Sequence, residues 1–280
     1  MSETTPPKSD SVILPMLAHP DAKQRRVLAQ IHKLNLNAFK HVGVNLVRRR
    51  LACRLLMWRM KAAARRGQSL RQIEEMLRPR FKRDVKEEKY KALQQKRAVN
   101  AYERIKDHLV GEQLLDLGSG PGLIAQTIHE RTGMKVTLAD VIDYAITDLP
   151  TVIISEGGRI PLEDGSVDTT LIHVVLHHAD DPLRLLDEAV RVTRTRIVIM
   201  EGYVDDENTY LVNCFFDWFL NRVVQGQDIN MPLNFHTTAE WHRIFTERGL
   251  RVAKEEVVGI DEPIAPESHV LFVLDKATQP

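Results

Sequence analysis

The chain has 280 residues, 43% hydrophobic and 28% charged, which excludes disordered, collagenous and membrane-spanning classes. No apolar run reaches bilayer length, no secretory pattern opens the sequence, and the two cysteines, Cys53 and Cys214, are too few for a disulfide framework or a zinc site. A cytoplasmic protein is expected. The net charge of +1 conceals two opposed halves: residues 1–107 carry 26 Lys/Arg against 10 Asp/Glu, residues 108–280 carry 13 against 28. Either the basic half folds back on the acidic half, which is the preferred expectation, or it meets an anionic partner.

In chain order, residues 1–20 hold four prolines and are expected to form a loose leader. Residues 21–107 form a basic helical extension, expected to break near Gly43, Gly67 and Pro79. Within 44–66, Val44, Val47, Leu51, Leu55, Trp58 and Ala62 share one helical stripe, and Leu46, Cys53, Leu56, Met57 and Met60 share a nearly opposite one. Arg48, Arg50, Arg54, Arg59, Lys61, Arg65 and Arg66 run along the edges between them. A helix apolar on two sides needs a use for both. Packing within the protein is the expectation; a second subunit or a membrane interface are the alternatives. Residues 80–109 predict one long charged helix.

After Gly111 the pattern alternates, with strands near 113–117, 135–139, 151–154, 167–175, 196–200, 251–258 and 269–274. Helices are predicted over 121–132, 182–192, 206–224 and 237–248, so a mainly parallel sheet covered by helices follows. The last two strands are joined by a turn over 259–268 and are expected to pair antiparallel.

The strongest chemical signal is Leu114-Leu-Asp-Leu-Gly-Ser-Gly-Pro-Gly122, an apolar strand running into Gly118, Gly120 and Gly122 at the start of a helix. Glycines here allow a tight turn and close approach of backbone to a ligand. Asp116 would repel a pyrophosphate and attract an amino group, and Asp140 ends the second strand where an acid holds ribose hydroxyls. The segment Ile160-Pro-Leu-Glu-Asp-Gly-Ser-Val-Asp168 then leads to a strand ending in Leu176-His-His178.

Together these motifs resemble the S-adenosylmethionine-dependent class I methyltransferases, in particular the UbiE/methyltransferase-11-like group, over about residues 112–275. The resemblance implies an α/β fold: a Rossmann-like class I methyltransferase sheet, mostly parallel with an antiparallel last strand, in a domain spanning 108–280. It implies S-adenosyl-L-methionine as cofactor, with Gly118, Ser119, Gly120 and Gly122 around its methionine part and Asp116 near its amino group. Asp140 would take the ribose hydroxyls, Val141 and Ile142 would flank the adenine, Glu156 would accept from its amino group, and Gly157 would pass close to the ring. His173 would line the sulfonium. Only 15 residues separate Asp140 from Glu156, so a short turn at 143–148 is expected in place of a helix.

Candidate general bases are His177, His178 and Glu201 at the strand ends, with Asp217 and His236; metal binding is not expected, for lack of matching ligand spacing. Phe215, Asp217, Trp218 and Asn221, in the aromatic segment after the fifth strand, and His236 are the candidate substrate-pocket residues. Core packing accounts equally well for the Phe and the Trp. Thr237 or Thr238 caps the following helix, with Glu240 in its first turn. The expected acceptor is a small, hydrophobic organic molecule methylated at oxygen or nitrogen. The alternatives are a membrane lipid, with 44–66 lying on anionic headgroups, and, less favoured, a nucleic acid. The N-terminal helices are expected to serve as a lid or a homodimer surface.

Overall fold

The computed structural model describes residues 9–41, 45–81, 87–155, 158–229 and 231–276. Helices α1 (Ser9–Ala18), α2 (Ala22–His41), α3 (Leu46–Arg65), α4 (Leu70–Phe81) and α5 (Glu87–Ile105) precede β1 (Gln113–Leu117). Then come α6 (Leu123–Thr132), β2 (Lys135–Asp140), β3 (Thr151–Ile153), β4 (Val167–His173), α7 (Pro182–Val192) and β5 (Thr193–Gly202). Helices α8 (Glu207–Trp218) and α9 (Thr238–Glu247) and strands β6 (Leu250–Glu262) and β7 (Ala265–Lys276) complete the chain. They sort into two compact units. A helical unit holds residues up to 85, 202–235 and 258–269, and a sheet unit holds 86–201, 236–257 and 270–280. The expected boundary at 107 therefore falls elsewhere. Helix α5 belongs with the sheet, and the segment after β5 belongs with the N-terminal helices.

The helical unit is built on one apolar core. Ile13, Met16 and Leu17 of α1, Val27 and Ile31 of α2, Leu56 and Met60 of α3, Ile73 and Leu77 of α4, and Phe215, Phe216 and Trp218 of α8 all enter it. The leader expectation does not hold over 9–18, where α1 is a helix despite Pro15; residues 1–8 lie outside the described residues. An interior proline costs about 3 kcal/mol, whereas each buried Ile, Met or Leu contributes about 1.5–3 kcal/mol, so three of them prevail. Pro79 lies in the last turn of α4, which ends two residues later at Phe81, so the expected break near Pro79 is observed. Helix α3 starts where the Asn45 side chain accepts from the Arg48 amide (3.0 Å) and stops before Gly67, whose φ is 74°. Its inner face carries Cys53, Leu56, Met57 and Met60 as the pattern predicts, but Leu46 is exposed. Val44 lies outside the described residues.

Charge fixes the join between α4 and the segment after β5. The buried Glu74 carboxylate accepts the Trp218 indole N–H (2.8 Å) and pairs with Arg78 (3.2 Å) and Arg222 (3.4 Å). Arg78 also donates to the Arg222 carbonyl (2.7 Å), on the π-helical turn Phe219–Val224 that prolongs α8. Asn213 of α8 exchanges two hydrogen bonds with the Ser268 backbone, at 2.8 and 2.9 Å.

In the sheet unit the strand order is β3-β2-β1-β4-β5-β7-β6, with β3, β2, β1, β4 and β5 parallel. Strands β6 and β7 are hydrogen-bonded neighbours joined by two residues, which requires an antiparallel pair. The turn is thus much shorter than the expected 259–268. The chain reverses direction of strand addition between β1 and β4, the place where open α/β sheets bind ligands at the carboxyl ends of their strands. Asp168, at the start of β4, accepts the Glu112 and Gln113 amides (2.9 and 3.1 Å) and so pins the entrance of β1 beside it.

Replacing Glu74 by Ala leaves the buried Trp218 indole N–H without its acceptor and takes the shared carboxylate from Arg78 and Arg222, which are partly exposed and keep backbone acceptors. A loss of about 2–3 kcal/mol is expected, measured by urea denaturation followed in the near-ultraviolet; a loss below about 1 kcal/mol contradicts the role.

Candidate active site

Two backbone facts shape the end of β1. At Gly118, φ is 73° and an added Cβ would lie 2.4 Å from Val175, so the β1 and β4 exits touch there with no room for a side chain. At Gly120, φ is 51° and an added Cβ would meet nothing within 4 Å. Glycine at 120 is set by conformation, and the space over it is open. The turn is held from beneath, the Ala139 carbonyl accepting the Gly118 and Ser119 amides at 2.7 and 3.3 Å. Gly122 forms the N-cap of α6, so helix N–H groups begin at the turn.

Two acids lie under and beside it. Asp116 is buried in the centre of the sheet, and burial, then the charge of Asp140, push its carboxyl up to about 7. Among the described residues no basic side chain pairs with it. Asp140 ends β2, with Oδ2 accepting the Gly120 amide (2.9 Å) and Oδ1 the Val141 amide (2.7 Å). Burial also raises Asp140, against the pull of the backbone N–H groups of Gly120, Val141 and Ile142. Beyond it the chain runs to β3 without a helix, as the short spacing predicts. Val141, Ile142, Tyr144 and Ile146 expose apolar side chains there. Glu156 and Gly157 lie outside the described residues.

The exit of β4 holds a feature that no sequence signal announces. Val174 has φ 59°, a conformation that a β-branched residue avoids at a cost of about 1–3 kcal/mol. Its amide donates to the Met200 carbonyl (2.7 Å), and the next two amides, of Val175 and Leu176, donate to Glu201 Oε1 at 3.0 and 2.7 Å. Glu201 Oε2 lies 2.8 Å from His177 Nδ1, with both side chains buried. Glu201 is thus a clamp on the strained turn that presents His173, His177 and His178 at the end of the sheet. The His177 and His178 rings lie 4.2 Å apart.

The other expected site residues are distributed as follows. His236 precedes α9 in the sheet unit and packs edge-on against Trp241 at 4.8 Å. Burial holds it below the ordinary histidine range, although Glu240 and Glu201 pull the other way. Thr237 is the cap, in a reciprocal box with Glu240. Phe215 and Trp218 are core side chains of the helical unit, and Phe215 stacks on Phe219 at 5.6 Å. Asp217, also buried there, accepts from Asn221 Nδ2 on Oδ1 (2.8 Å). Asp116, Gly118–Gly122, Asp140–Ile142, His173, His177, His178, Glu201 and His236 belong to the sheet unit, and Phe215, Asp217, Trp218 and Asn221 to the helical unit.

A family model described as a methyltransferase domain matches residues 115–198. Over 90 residues the chain is 36% identical to an uncharacterised methyltransferase of Mycobacterium sp. (strain JLS), covering 30% of this chain and 35% of that protein. Over 106 residues it is 27% identical to the mitochondrial arginine-hydroxylase NDUFAF5 of Mus musculus, covering 36% and 31%. The chain spans about a third to a half of the length of the curated relatives it matches. A solved complex of the Haloferax volcanii Trm112 methyltransferase activator with a methyltransferase contains a chain of the same fold. The two share 19% identity at a TM-score of 0.50, covering 73% of this chain and 99% of that one.

The folded-state pKa of Asp116 stands above its value of 3.8 in an unfolded chain, so protonation favours the fold. Stability is then complete below about pH 4 and declines as pH rises to about 7, by about 4 kcal/mol. Asp116→Asn is expected to remove this slope and to unfold at a higher temperature than the parent at pH 8. An unchanged slope across that window contradicts the assignment.

Proposed function

We propose that this chain, whose residues 115–198 are a class I S-adenosylmethionine-dependent methyltransferase domain, methylates a small, hydrophobic organic acceptor at oxygen or nitrogen. The observation that carries the donor half is the unpaired acid Asp116, buried beneath an open glycine turn and beside Asp140. Burying a carboxyl without a cation is costly, and an ammonium group delivered over Gly120 relieves that cost. The residues present fit the cofactor. Gly118, Ser119, Gly120 and Gly122 would wrap its amino-acid part, with Asp116 facing the ammonium. Asp140 accepts backbone N–H groups on both oxygens and, with about four acceptor positions in all, retains room for a ribose hydroxyl. The exposed Val141 and Ile142 side chains would shelter the adenine, and His173 would flank the sulfur. When bound, the cofactor supplies an electrophilic methyl group.

The protein's part in such a displacement is to align the acceptor, exclude water and hold a proton. Glu201 is occupied in clamping the β4 exit, which makes it a positioning residue for the histidines beside it. His236, which burial keeps neutral near pH 7, can accept a proton from a hydroxyl or an ammonium acceptor. His177 and His178 are the further candidates, at the carboxyl end of β4. Phe215, Asp217, Trp218 and Asn221 remain proposed pocket residues only for the acceptor.

A relative of this chain is named a hydroxylase, so transfer itself must be tested. Incubation with methyl-labelled S-adenosylmethionine and a panel of hydrophobic phenols and amines is expected to yield a labelled product. Asp140→Ala should weaken calorimetric affinity for the cofactor at least about tenfold, by about 1.4 kcal/mol or more. Unchanged affinity contradicts the site, and binding without label transfer to any acceptor contradicts the reaction.

A further inference from the structure

Helix α3 leaves one apolar stripe uncovered. Val47 is 77% exposed, Leu51 68%, Trp58 63% and Leu55 39%. At about 100° per residue these four, with Ala62, occupy an arc of about 80°. Arg50, Arg54 and Lys61 line one margin of that arc, and Arg48 and Arg59 line the other. Over Leu46–Arg65 the helix carries seven Lys/Arg and no acid. Among the described residues none of these cations is ion-paired with a carboxylate. Their field reaches α2, where burial and then Arg54 and Lys61 hold His32 below its ordinary range.

The occupant of such a face must satisfy two conditions at once: it must bury a narrow apolar strip and present negative charge along both sides of it. A second copy of the chain satisfies the first and fails the second, since an isologous contact brings two uncompensated basic helices together. A nucleic acid satisfies the second and leaves the leucines and valine in water. An anionic lipid surface satisfies both. The apolar strip enters the acyl boundary, Trp58 sits at headgroup level, and the flanking arginines reach the headgroups along their aliphatic stems. The helix, about 30 Å long, lies on the membrane; among the described residues none is long and apolar enough to cross one.

We propose that the exposed face of α3, formed by Val47, Leu51, Leu55 and Trp58 and flanked by Arg48, Arg50, Arg54 and Arg59, docks the protein on anionic membranes. This inference is independent of the methyl-transfer reading and stands or falls separately from it.

The test uses the full chain with sucrose-loaded vesicles of phosphatidylcholine alone or mixed with phosphatidylglycerol, at low salt. The protein is expected to sediment with the mixed vesicles and not with the neutral ones. Tryptophan emission should shift to the blue on binding, because Trp218 and Trp241 are already buried and Trp58 alone reports; Trp58→Phe should abolish the shift. Each arginine near an anionic surface is worth about 1 kcal/mol, about fivefold. Arg50→Gln with Arg54→Gln is therefore expected to weaken binding about 30-fold, with the melting temperature unchanged. Leu51→Ser with Leu55→Ser should weaken it even where salt has screened the arginines. No sedimentation with the mixed vesicles, equal sedimentation with neutral ones, or insensitivity to both variant pairs would overturn the proposal. So would a dimer in sedimentation equilibrium that Leu51→Ser with Leu55→Ser dissociates, or retention on RNA in preference to the vesicles.

Discussion

A carboxyl group buried in the middle of a parallel sheet, with another acid as its nearest charge, is a liability that a fold does not keep without a use. Asp116 is such a group. Burial raises it to about 7, and its cost to the unliganded protein is a preference, held in reserve, for a cation placed directly over it. The surrounding geometry determines where such a cation comes from. Val175 closes the turn at Gly118, Gly120 is open above, and Asp140 already holds the Gly120 amide. The open side of this turn lies at the carboxyl end of the sheet, between β1 and β4, where strand order reverses.

The second strained element supports the first from the other side of that crevice. Val174 stays in the left-handed region only because its amide and the two that follow are each given an acceptor, two of them by the single carboxylate of Glu201. Both carboxylate oxygens of Glu201 are engaged, one by the Val175 and Leu176 amides and one by His177, so it anchors this turn. It sets where His177 stands and how the β4 exit meets Gly118. Backbone strain is thus concentrated beside the proposed site, where strained residues are often found.

The strands were legible because each is a short apolar run between turn residues, and the site because three glycines and two aspartates recur at the spacing of one strand-turn-helix. What was illegible has physical causes. Helix α1 depends on burial of Ile13, Met16 and Leu17 against α3, α4 and α8, the last of them two hundred positions away, which no local pattern encodes, while the prolines of 1–20 argue for a loop. The Glu74–Trp218–Arg222 cluster, which ties α4 to the segment after β5, is long-range in the same way. It explains why Trp218 became a core residue with a satisfied N–H. The two stripes of α3 were plain in the sequence, but which of them meets solvent was not, because both are apolar and both border arginines. Val174 gave no signal, since a valine is among the residues least expected at positive φ.

If the buried Asp116 carboxyl is protonated in the free protein, it must ionise against the ammonium of the arriving ligand. Calorimetric titration of S-adenosylhomocysteine at pH 6, in buffers of different ionisation enthalpy, measures this directly. Release of up to about one proton per ligand bound is predicted, vanishing by pH 8.5 and absent in Asp116→Asn. Binding with the same, near-zero proton exchange at both pH values would contradict it.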